Sequence, residues 1–402
     1  MQILVSGASI AGPVLAYWLT RHGFDVTVVE RAPKLRKTGG HAIDLFRPAM
    51  EITEQMGVLS RVIELATANT GMTMHRMPGD RQTHVDLTKL FSATSSRHAE
   101  IMRDDLSEIY YDAGRDDVEY LFDDSITAIS PDGEVTFETA PPRRFDLVVG
   151  ADGLHSNVRR LVFGDEAALS TYIGAHLAVL SVPKSLATDG QNVVYASPGR
   201  LTAIYTVGHL PDARAIFMFK RPQPLEYHHR DDERQKGFLD AEFRGLALEV
   251  DTWLDELGRT PSFYFDTVTQ LRMDSWSRDR VTLVGDAGYC PGPAVGGSTS
   301  LAVVGAYTLA GELARADGDH VRAFPAYERA MAEPVRNSRA LARRAAKTLV
   351  PNSRAGVWAL TLGAQAFSRL PTWLGKAIAR VDPGGLRAYD SMKVADYPTR
   401  VR

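Results

Sequence analysis

Cysteine is nearly absent from the chain: Cys290 is the single cysteine among 402 residues. One cysteine excludes an internal disulfide, and it fits a reducing, cytoplasmic setting. The eleven histidines show no H-x-x-x-H spacing and no C-x-x-C pair exists, so the usual metal-ligand motifs are missing. The sequence therefore predicts neither a disulfide-stapled protein nor a zinc protein.

An excess of charge of one sign is also missing. Lys and Arg number 46 against 49 Asp and Glu, a formal net charge of -3. Without a basic field, we expect no binding to nucleic acid or to an anionic membrane surface. The N-terminal residues lack a signal-peptide pattern, and the apolar stretch 356–374 is interrupted by Gln365, Arg369 and Pro371, so no membrane span is predicted. A small molecule is the expected partner.

Short apolar runs that end in glycine-rich loops are present instead. Ile3–Val5 leads into the first such loop, residues 13–22 follow with helical spacing, and Val26–Val29 forms a second run. Further on, Phe145–Val149 and Val281–Val284 also end in glycine-rich loops. Parallel strands with special loops at their carboxyl ends are typical of a nucleotide-binding sheet.

The first loop, Gly7-Ala8-Ser9-Ile10-Ala11-Gly12, fits two patterns. As G-x-S-x-x-G it is a dinucleotide-binding loop in which serine replaces the middle glycine; as G-x-S-x-A it is a hydrolase nucleophile elbow. An elbow needs an earlier loop that supplies the second oxyanion donor. Only one strand precedes Ser9, so the phosphate-binding interpretation is favoured.

Glu30 supports the same interpretation. In a phosphate loop, Gly7 permits the sharp turn and Gly12 lets the helix pack close to the strand, so that backbone N–H groups face a pyrophosphate. Glu30 ends the second apolar run, where a carboxylate accepts the hydroxyls of an adenosine ribose and disfavours a ribose phosphate. The site is therefore predicted to bind FAD or NAD rather than NADP, and Arg31 is included in it.

Between these loops the pattern becomes β-rich. Residues 72–87 alternate around Pro78-Gly79, and residues 175–221 contain several apolar runs separated by turn residues. We expect a discontinuous nucleotide-binding domain with a β-rich domain built from two insertions. Tyr205, Phe217 and Phe219 alternate on these strands, which fits either an aromatic pocket or core packing.

Three signatures occur in the order typical of one family: Gly7 to Gly12 with Glu30; Asp146 to Gly153 with Ser156 and Arg159; and Gly285-Asp286-Ala287 followed by Pro291, Pro293 and Gly296-Gly297. On these residues the chain resembles, over nearly its whole length, the single-component FAD-dependent aromatic hydroxylases of the para-hydroxybenzoate hydroxylase type. It is most similar to their compact branch, which includes tetracycline-inactivating monooxygenases.

The resemblance implies the fold class α/β: a Rossmann-like FAD-binding domain with an inserted antiparallel β-sheet substrate domain and C-terminal helices. The predicted FAD-binding domain comprises residues 1–69, 98–168 and 272–330. The predicted substrate domain comprises 70–97 and 169–271, and a helical segment covers 331–402.

The resemblance also implies which residues hold FAD. Asp286 would accept hydrogen bonds from the ribityl chain, and Pro293 would pack near the flavin ring. Gly296-Gly297-Ser298, at the start of a helix expected over 299–315, would direct backbone N–H groups at the pyrimidine end, where a positive helix terminus favours the anionic reduced flavin. The other residues that the resemblance assigns to FAD or NADPH are Arg36, Asp44, Arg103, Asp152, Gly153 and Arg159.

The implied activity is a monooxygenase reaction. FAD would be reduced by transient NADPH or NADH and would react with O2 at C4a, and the hydroperoxide would hydroxylate an aromatic or polycyclic, polyketide- or tetracycline-like molecule. The cofactor carries such chemistry, so no catalytic side chain is predicted.

Two alternatives remain open. One keeps FAD but makes the protein an oxidase, dehydrogenase or epoxidase. The other is a flavin-free binding protein, suggested by Ser9, by Ser298 and by Tyr289, which stands where the family has histidine. The oligomeric state is left open.

Overall fold

The structure of the chain is a computed structural model, which describes residues 1–35, 40–77, 79, 81–89, 95, 97–228, 231–293, 297–370 and 387–399. Its strands are β1 Gln2–Ser6, β2 Asp25–Glu30, β3 Ala42–Phe46, β4 Gly71–Arg76, β5 Arg81–Asp86, β6 His98–Met102, β7 Glu119–Phe122, β8 Ile126–Ile129, β9 Glu134–Phe137, β10 Arg143–Arg144, β11 Leu147–Gly150, β12 Ser170–Pro183, β13 Gln191–Ser197, β14 Arg200–Thr206, β15 Asp212–Lys220, β16 Phe263–Leu271, β17 Ser277–Arg278 and β18 Val281–Leu283. Its helices are α1 Ala11–Arg21, α2 Arg47–Gln55, α3 Leu59–Glu64, α4 Arg103–Gly114, α5 Asn157–Phe163, α6 Glu166–Leu169, α7 Asp232–Phe243, α8 Leu248–Leu254, α9 Asp286–Tyr289, α10 Ser298–Arg315, α11 His320–Thr348, α12 Arg354–Arg369 and α13 Arg387–Asp390.

The apolar runs that end in glycine loops form one sheet, in the order β17-β18-β11-β1-β2-β7. All neighbours pair in parallel except β17 and β18. Ile3, Leu4 and Val5 of β1 are fully buried, as expected for a central strand that is covered on both faces. Because the strands are parallel, the loops after β1, β2, β11 and β18 meet at one edge.

The β-rich segments form a second sheet, in the order β16-β12-β15-β14-β13-β4-β5. Its pairs are antiparallel except one: β4 runs parallel to β13, where the first β-rich segment joins the second. Helices α7 and α8 cover one face, with Phe243 and Trp253 buried against it. Phe217 and Phe219 belong to this covered core, so their alternation reflects core packing.

The predicted fold class is confirmed: a parallel-strand nucleotide-binding sheet, a second and mostly antiparallel sheet, and C-terminal helices. The strands of the second sheet lie within residues 71–86 and 170–271. The domain boundaries themselves stay a prediction.

The C-terminal helices join the two sheets. Helix α10 packs against both α1 and α11, and α12 packs on β5, the edge strand of the second sheet, and on its neighbour β4. Helix α11 continues through Pro325 and Pro334. Within the described ranges, no helix is both long and apolar enough to span a bilayer.

The last described segment, 387–399, is anchored by buried tyrosines. Tyr389 stacks on Phe46 with ring centroids 5.6 Å apart, and its hydroxyl lies 2.5 Å from the Ser338 hydroxyl. A Cβ at Gly297 would lie 2.2 Å from the Tyr389 ring, so glycine is required there for close contact. The segment therefore covers the beginning of α10.

Tyr397 anchors the other end of this segment. It is 4% exposed, its hydroxyl donates to Glu312 at 2.6 Å, and the guanidinium of Arg315 lies 4.1 Å from its ring centroid. Replacing it with alanine would leave a cavity beside Gly311, where the ring fits against the helix backbone.

We expect Tyr397→Ala to lower the free energy of unfolding by about 3 to 4 kcal/mol, because a large buried aromatic side chain is removed. Urea unfolding followed by circular dichroism measures this change. The control is Trp358→Ala, since Trp358 on α12 is 54% exposed. A loss at Tyr397 no larger than that of the control would show that the segment does not stabilise the fold.

Candidate active site

The first loop turns where its glycines are required. Gly7 has φ +106°. A Cβ there would lie 2.6 Å from the carbonyl oxygen of Ala151, in the second glycine-rich loop, which follows β11. A Cβ at Gly12 would lie 1.9 Å from the carbonyl oxygen of Gly7. Helix α1 begins beside this turn, with Ile10 at its N-cap and Ala11 as its first residue. The loop therefore has the shape that brings backbone N–H groups close to a phosphate.

Glu30 fixes the same loop from β2. One of its carboxylate oxygens accepts the N–H of Ala8 at 2.9 Å, and the other accepts the N–H of Ala32 at 2.9 Å. A carboxylate oxygen has more than one lone pair, so each can still accept a ribose hydroxyl. Arg31, the next residue, is exposed.

Ser9 makes a contact that glycine could not make. Its hydroxyl accepts a hydrogen bond from the guanidinium of Arg103 at 3.1 Å, and its carbonyl accepts one from the Ser107 hydroxyl at 3.0 Å. Arg103 begins α4 and is exposed at this edge. The serine thus joins the first loop to the arginine that the sequence predicts to contact FAD.

The third loop, which begins at Gly285 after β18, lies close to the first loop. This residue has φ +66°, and a Cβ there would lie 3.2 Å from Ala11 and 3.3 Å from Ala302. Asp286 follows as the first residue of α9. Burial raises the pKa of the Asp286 carboxyl, and the charge of Arg103 opposes that rise. Arg103 therefore bonds the first loop, and its charge also acts on Asp286 in the third loop.

Asp152 and Arg159, in contrast, use their polar atoms inside the protein. The Asp152 carboxylate accepts the Ser156 hydroxyl at 2.5 Å and the N–H groups of Asn157 and Val158 at 2.9 and 3.1 Å. Burial raises the pKa of this carboxyl, and these hydrogen bonds oppose the rise. Gly153 has φ +82° and continues the turn.

Arg159 is 1% exposed. Its guanidinium donates to the carbonyls of Ala287 at 2.9 Å and Leu154 at 2.5 Å, and to Glu166 at 2.5 Å. Arg159 therefore holds the second loop against the third, whereas the Asp152 carboxylate is bonded within the second loop. That both residues belong to the segment that binds FAD and NADPH stays a prediction.

Strand β3 lies beside the start of α10. The Ser300 hydroxyl accepts the N–H of Phe46 at 2.9 Å and lies 3.3 Å from the carbonyl of Asp44. The Asp44 carboxylate pairs with the His98 ring at 2.7 Å. Burial, with Arg103 next in effect, lowers the pKa of His41 to about 4, so this imidazole is neutral near pH 7.

Helix α10 begins at Ser298, directly after Gly297 in the left-handed conformation with φ +79°. Pro293 is partly buried in the loop that precedes this helix. Gly296 and Arg36, two other predicted site residues, lie outside the described residues. The structure thus brings three loops, Arg103 and the N-terminus of α10 to one edge of the central sheet.

The face of the second sheet opposite α7 and α8 is joined to this edge, and α12 packs on the Val194 end of that face. Pairing places Tyr264, Val179, Ile216, Ala203 and Val194 in one row across five strands, and directly paired residues share a face. Burial raises the pKa of Tyr264 well above its ordinary value, whereas the charge of Arg103 opposes the rise. This apolar row with one hydroxyl is the candidate substrate-binding face.

Tyr205 and Arg214 connect this face to β3. The Tyr205 hydroxyl accepts the N–H of Ala42 at 2.8 Å, and the guanidinium of Arg214 donates to the carbonyl of Gly40 at 3.3 Å. Tyr205 is therefore a structural link as well as a member of the face.

His155 forms a clamp that sequence reasoning missed. Its ring nitrogens lie 3.0 Å from Glu166 and 3.2 Å from Asp266, and the Tyr264 hydroxyl donates to the same Asp266 oxygen at 3.1 Å. These hydrogen bonds, with that to Asp266 first, raise the pKa of His155 to about 10. The imidazolium joins the second loop to the substrate face. No local motif signals this contact, because its partners are far apart in sequence.

The described residues contain no cluster of three His, Cys, Asp or Glu side chains that could hold a metal ion. The assembled groups can bind a dinucleotide and enclose an apolar ligand.

The His155 clamp makes stability depend on pH. Because its folded pKa is raised, its contribution is fully present below the ordinary value near 6.5 and is lost as pH rises through about 10. We expect His155→Gln to cost about 1 kcal/mol near pH 7, since the half-exposed pair is screened by solvent, and almost nothing above about pH 10.5.

Urea unfolding of both proteins over this pH range measures the difference. His84→Gln is the matched control, because His84 is an exposed histidine of β5. A deficit for His155→Gln that stays constant or grows as pH rises would contradict the clamp.

Comparisons with known proteins agree with this geometry. The FAD binding domain family matches residues 1–320. A flavin-dependent monooxygenase of Legionella longbeachae is 36% identical over 338 residues, which cover 81% of this chain and 84% of that protein. An uncharacterised protein of Mycobacterium tuberculosis is 43% identical over 334 residues, covering 81% and 88%.

Solved structures give the same result. The tetracycline destructase Tet(51) superposes with a TM-score of 0.81 at 30% identity, over 98% of this chain and 99% of that one. Klebsiella pneumoniae HpxO complexed with FAD and uric acid shares the fold, with a TM-score of 0.74 at 22% identity over 96% and 97%. The chain therefore belongs to the family of FAD-dependent monooxygenases of the aromatic hydroxylase type and is similar to the branch that contains tetracycline-inactivating enzymes.

Proposed function

We propose that the protein uses NADPH or NADH and O2, with FAD as cofactor, to hydroxylate an aromatic or polycyclic small molecule. The observation that carries this proposal is the close approach of three loops at one sheet edge, where Gly7 lies against Ala151 and Gly285 lies against Ala11. At this edge Ser9 also holds Arg103. Membership of the family shows that the protein is an FAD-dependent monooxygenase. The residues support the proposed hydroxylation of an aromatic or polycyclic molecule.

The residues fit an FAD molecule that would lie along the edge of the sheet, with its pyrophosphate at the start of α1 and its ring at the start of α10. The pyrophosphate would lie at the start of α1, where Gly7 and Gly12 leave space beside backbone N–H groups. Glu30 would accept the ribose hydroxyls, and Asp286 would accept those of the ribityl chain. Arg103, which is exposed and held by Ser9, would donate to the dinucleotide.

The ring end would lie at the start of α10. Gly297 and Ser298 begin this long helix, whose N-terminus favours negative charge. Pro293 would pack against the ring. Gly296 is proposed, with Gly297, to face the pyrimidine end of the flavin. Arg36 and Asp44 are proposed to lie near the flavin and the nicotinamide.

Bound FAD would supply the activation of O2 after its reduction by the nicotinamide cofactor. The protein's part is to orient the substrate and to keep water away from the reacting atoms. Val179, Ile216 and Ala203 provide an apolar surface for this purpose, and the Tyr264 hydroxyl can orient a polar substituent. Neutral His41 can accept a hydrogen bond beside Arg103.

The substrate is expected to be broad and largely apolar. The row from Tyr264 to Ala203 spans four neighbouring strands, which lie about 4.8 Å apart in a sheet. A face of this width suits a fused-ring molecule better than a single small ring. Similarity to tetracycline destructases at 30% identity supports a polycyclic substrate.

Isotope labelling tests the function. The purified protein is supplied with FAD, NADPH or NADH, and a panel of phenols and polyketides under 18O2, and the products are analysed by mass spectrometry. The proposal expects one labelled oxygen on a ring carbon, together with substrate-dependent oxidation of the reduced nicotinamide. Substrate oxidation without label would identify an oxidase or dehydrogenase, and label in an epoxide would identify an epoxidase.

Two substitutions test the proposed FAD contacts. We expect Arg103→Ala to weaken FAD binding by roughly tenfold or more, because a hydrogen bond from a charged donor contributes about 1.5 to 3 kcal/mol. Ser9→Gly removes only the anchor of Arg103, so we expect a loss of about fivefold, equivalent to about 1 kcal/mol.

Fluorescence titration of the apoprotein with FAD measures both losses. Arg115→Ala is the control, because Arg115 is an exposed arginine at the opposite end of α4. Tighter binding by Ser9→Gly would mean that the serine is merely a tolerated substitute for glycine. An unchanged affinity for Arg103→Ala would remove this arginine from the cofactor site.

A further inference from the structure

Arg339, on α11, is partly buried, and part of its guanidinium has no hydrogen-bond partner. Its Nε and one terminal nitrogen are buried and make no hydrogen bond. Within the described ranges, no carboxylate forms an ion pair with it. Arg159 differs: its Nε is also buried without a hydrogen bond, but both of its terminal nitrogens donate, to two carbonyls and to Glu166. A buried terminal nitrogen of a cation that lacks such partners is costly unless a ligand supplies them.

The surroundings of Arg339 add positive charge. Burial lowers the pKa of its guanidinium, and the charges of Arg272 and Arg343 lower it further. Both of these arginines are exposed, and they come from different elements: Arg272 follows β16, and Arg343 lies one helical turn after Arg339 on α11. Three arginines with like charge therefore converge from two segments.

Gln270 places this cluster beside the loop proposed for the flavin ring. Its side-chain amide donates to the carbonyl of Pro291 at 3.0 Å and to the carbonyl of Arg339 at 3.0 Å. The amide oxygen of the same side chain is buried and makes no hydrogen bond. Gln270 thus has an acceptor atom without a hydrogen bond, and it is bonded to Arg339, which has donor atoms without hydrogen bonds.

We propose that Arg339, Arg272 and Arg343 form a binding site for an oxyanion, a phosphate or a carboxylate carried by a small molecule, beside the loop 291–293. The planar guanidinium matches such oxyanions with paired hydrogen bonds. The Gln270 oxygen can accept from a hydroxyl next to the anionic group. The phosphate of the nicotinamide cofactor and a carboxylate of the substrate share this chemistry, and the choice between these two sources rests on the proposed function.

Binding of inorganic phosphate tests the site without turnover. The FAD-loaded protein is heated at increasing phosphate, with chloride of equal ionic strength as reference, and its melting temperature is recorded. A ligand that binds the folded state raises this temperature in a saturable way. We expect phosphate to do so in the wild type, and Arg339→Gln to bind it at least tenfold more weakly.

Arg336→Gln is the matched control, because Arg336 is exposed on the same helix one turn earlier; it should bind phosphate as the wild type does. If Arg339→Gln fails to fold, Arg272→Gln and Arg343→Gln replace it, and each should weaken binding about threefold. No phosphate effect beyond that of chloride, or an unchanged affinity in these variants, would overturn the proposal.

Steady-state kinetics then separate the two sources. If the oxyanion belongs to the reductant, Arg339→Gln raises KM for NADPH about tenfold and leaves KM for the aromatic substrate unchanged. If the oxyanion belongs to the substrate, Arg339→Gln raises KM for the aromatic substrate about tenfold and leaves KM for NADPH unchanged. Unchanged KM values for both would overturn the assignment to this reaction. Phosphate binding needs no product, so failure of the site and failure of the proposed function are distinguishable.

Discussion

The close approach of three loops at one sheet edge is the constraint on which the rest of the structure depends. Gly7 lies against the backbone of Ala151, and Gly285 lies between Ala11 and Ala302. A side chain at either glycine would push two loops apart by more than the packing allows. Because the loops close so tightly, the backbone N–H groups of the first loop, the bonded pair Ser9 and Arg103, and Asp286 of the third loop lie at the same edge of the sheet.

Polar contacts between residues far apart in the sequence hold the substrate face in a fixed position relative to this edge. The His155 clamp joins the second loop to β16, and Tyr205 and Arg214 join β14 and β15 to β3. A monooxygenase needs such rigidity, since an aromatic substrate must stay oriented while water is excluded. The substrate face is therefore positioned by contacts with the loop after β11 and with the segment of β3, rather than by one continuous element.

Local patterns allowed much of this to be predicted from the sequence. Glycines, a helix and an acidic residue at fixed spacing identify the loop from Gly7 to Glu30, because all of these parts lie within one strand-helix-strand unit. The turn residues also predict the β-rich segments. They do not predict that β4 pairs in parallel with β13, because that direction depends on how the two insertions meet.

Contacts between distant segments could not be predicted in this way. The sequence places Arg159 in a segment associated with FAD and NADPH, but it does not indicate that the buried side chain bonds Ala287 and Glu166. It treats Ser9 as a substitute for glycine, yet the serine anchors Arg103. His155 and Arg339 carry no motif at all. In each case the role depends on a partner many residues away, which only the folded chain brings close.

The absorption spectrum of the purified protein, before and after addition of FAD, is the most direct measurement of the central claim that these loops form one flavin site. The structure predicts flavin absorption bands with one FAD bound for each chain, either on purification or after reconstitution. A colourless protein that gains no bound flavin when FAD is added would contradict that claim and would favour a flavin-free binding protein on the same fold.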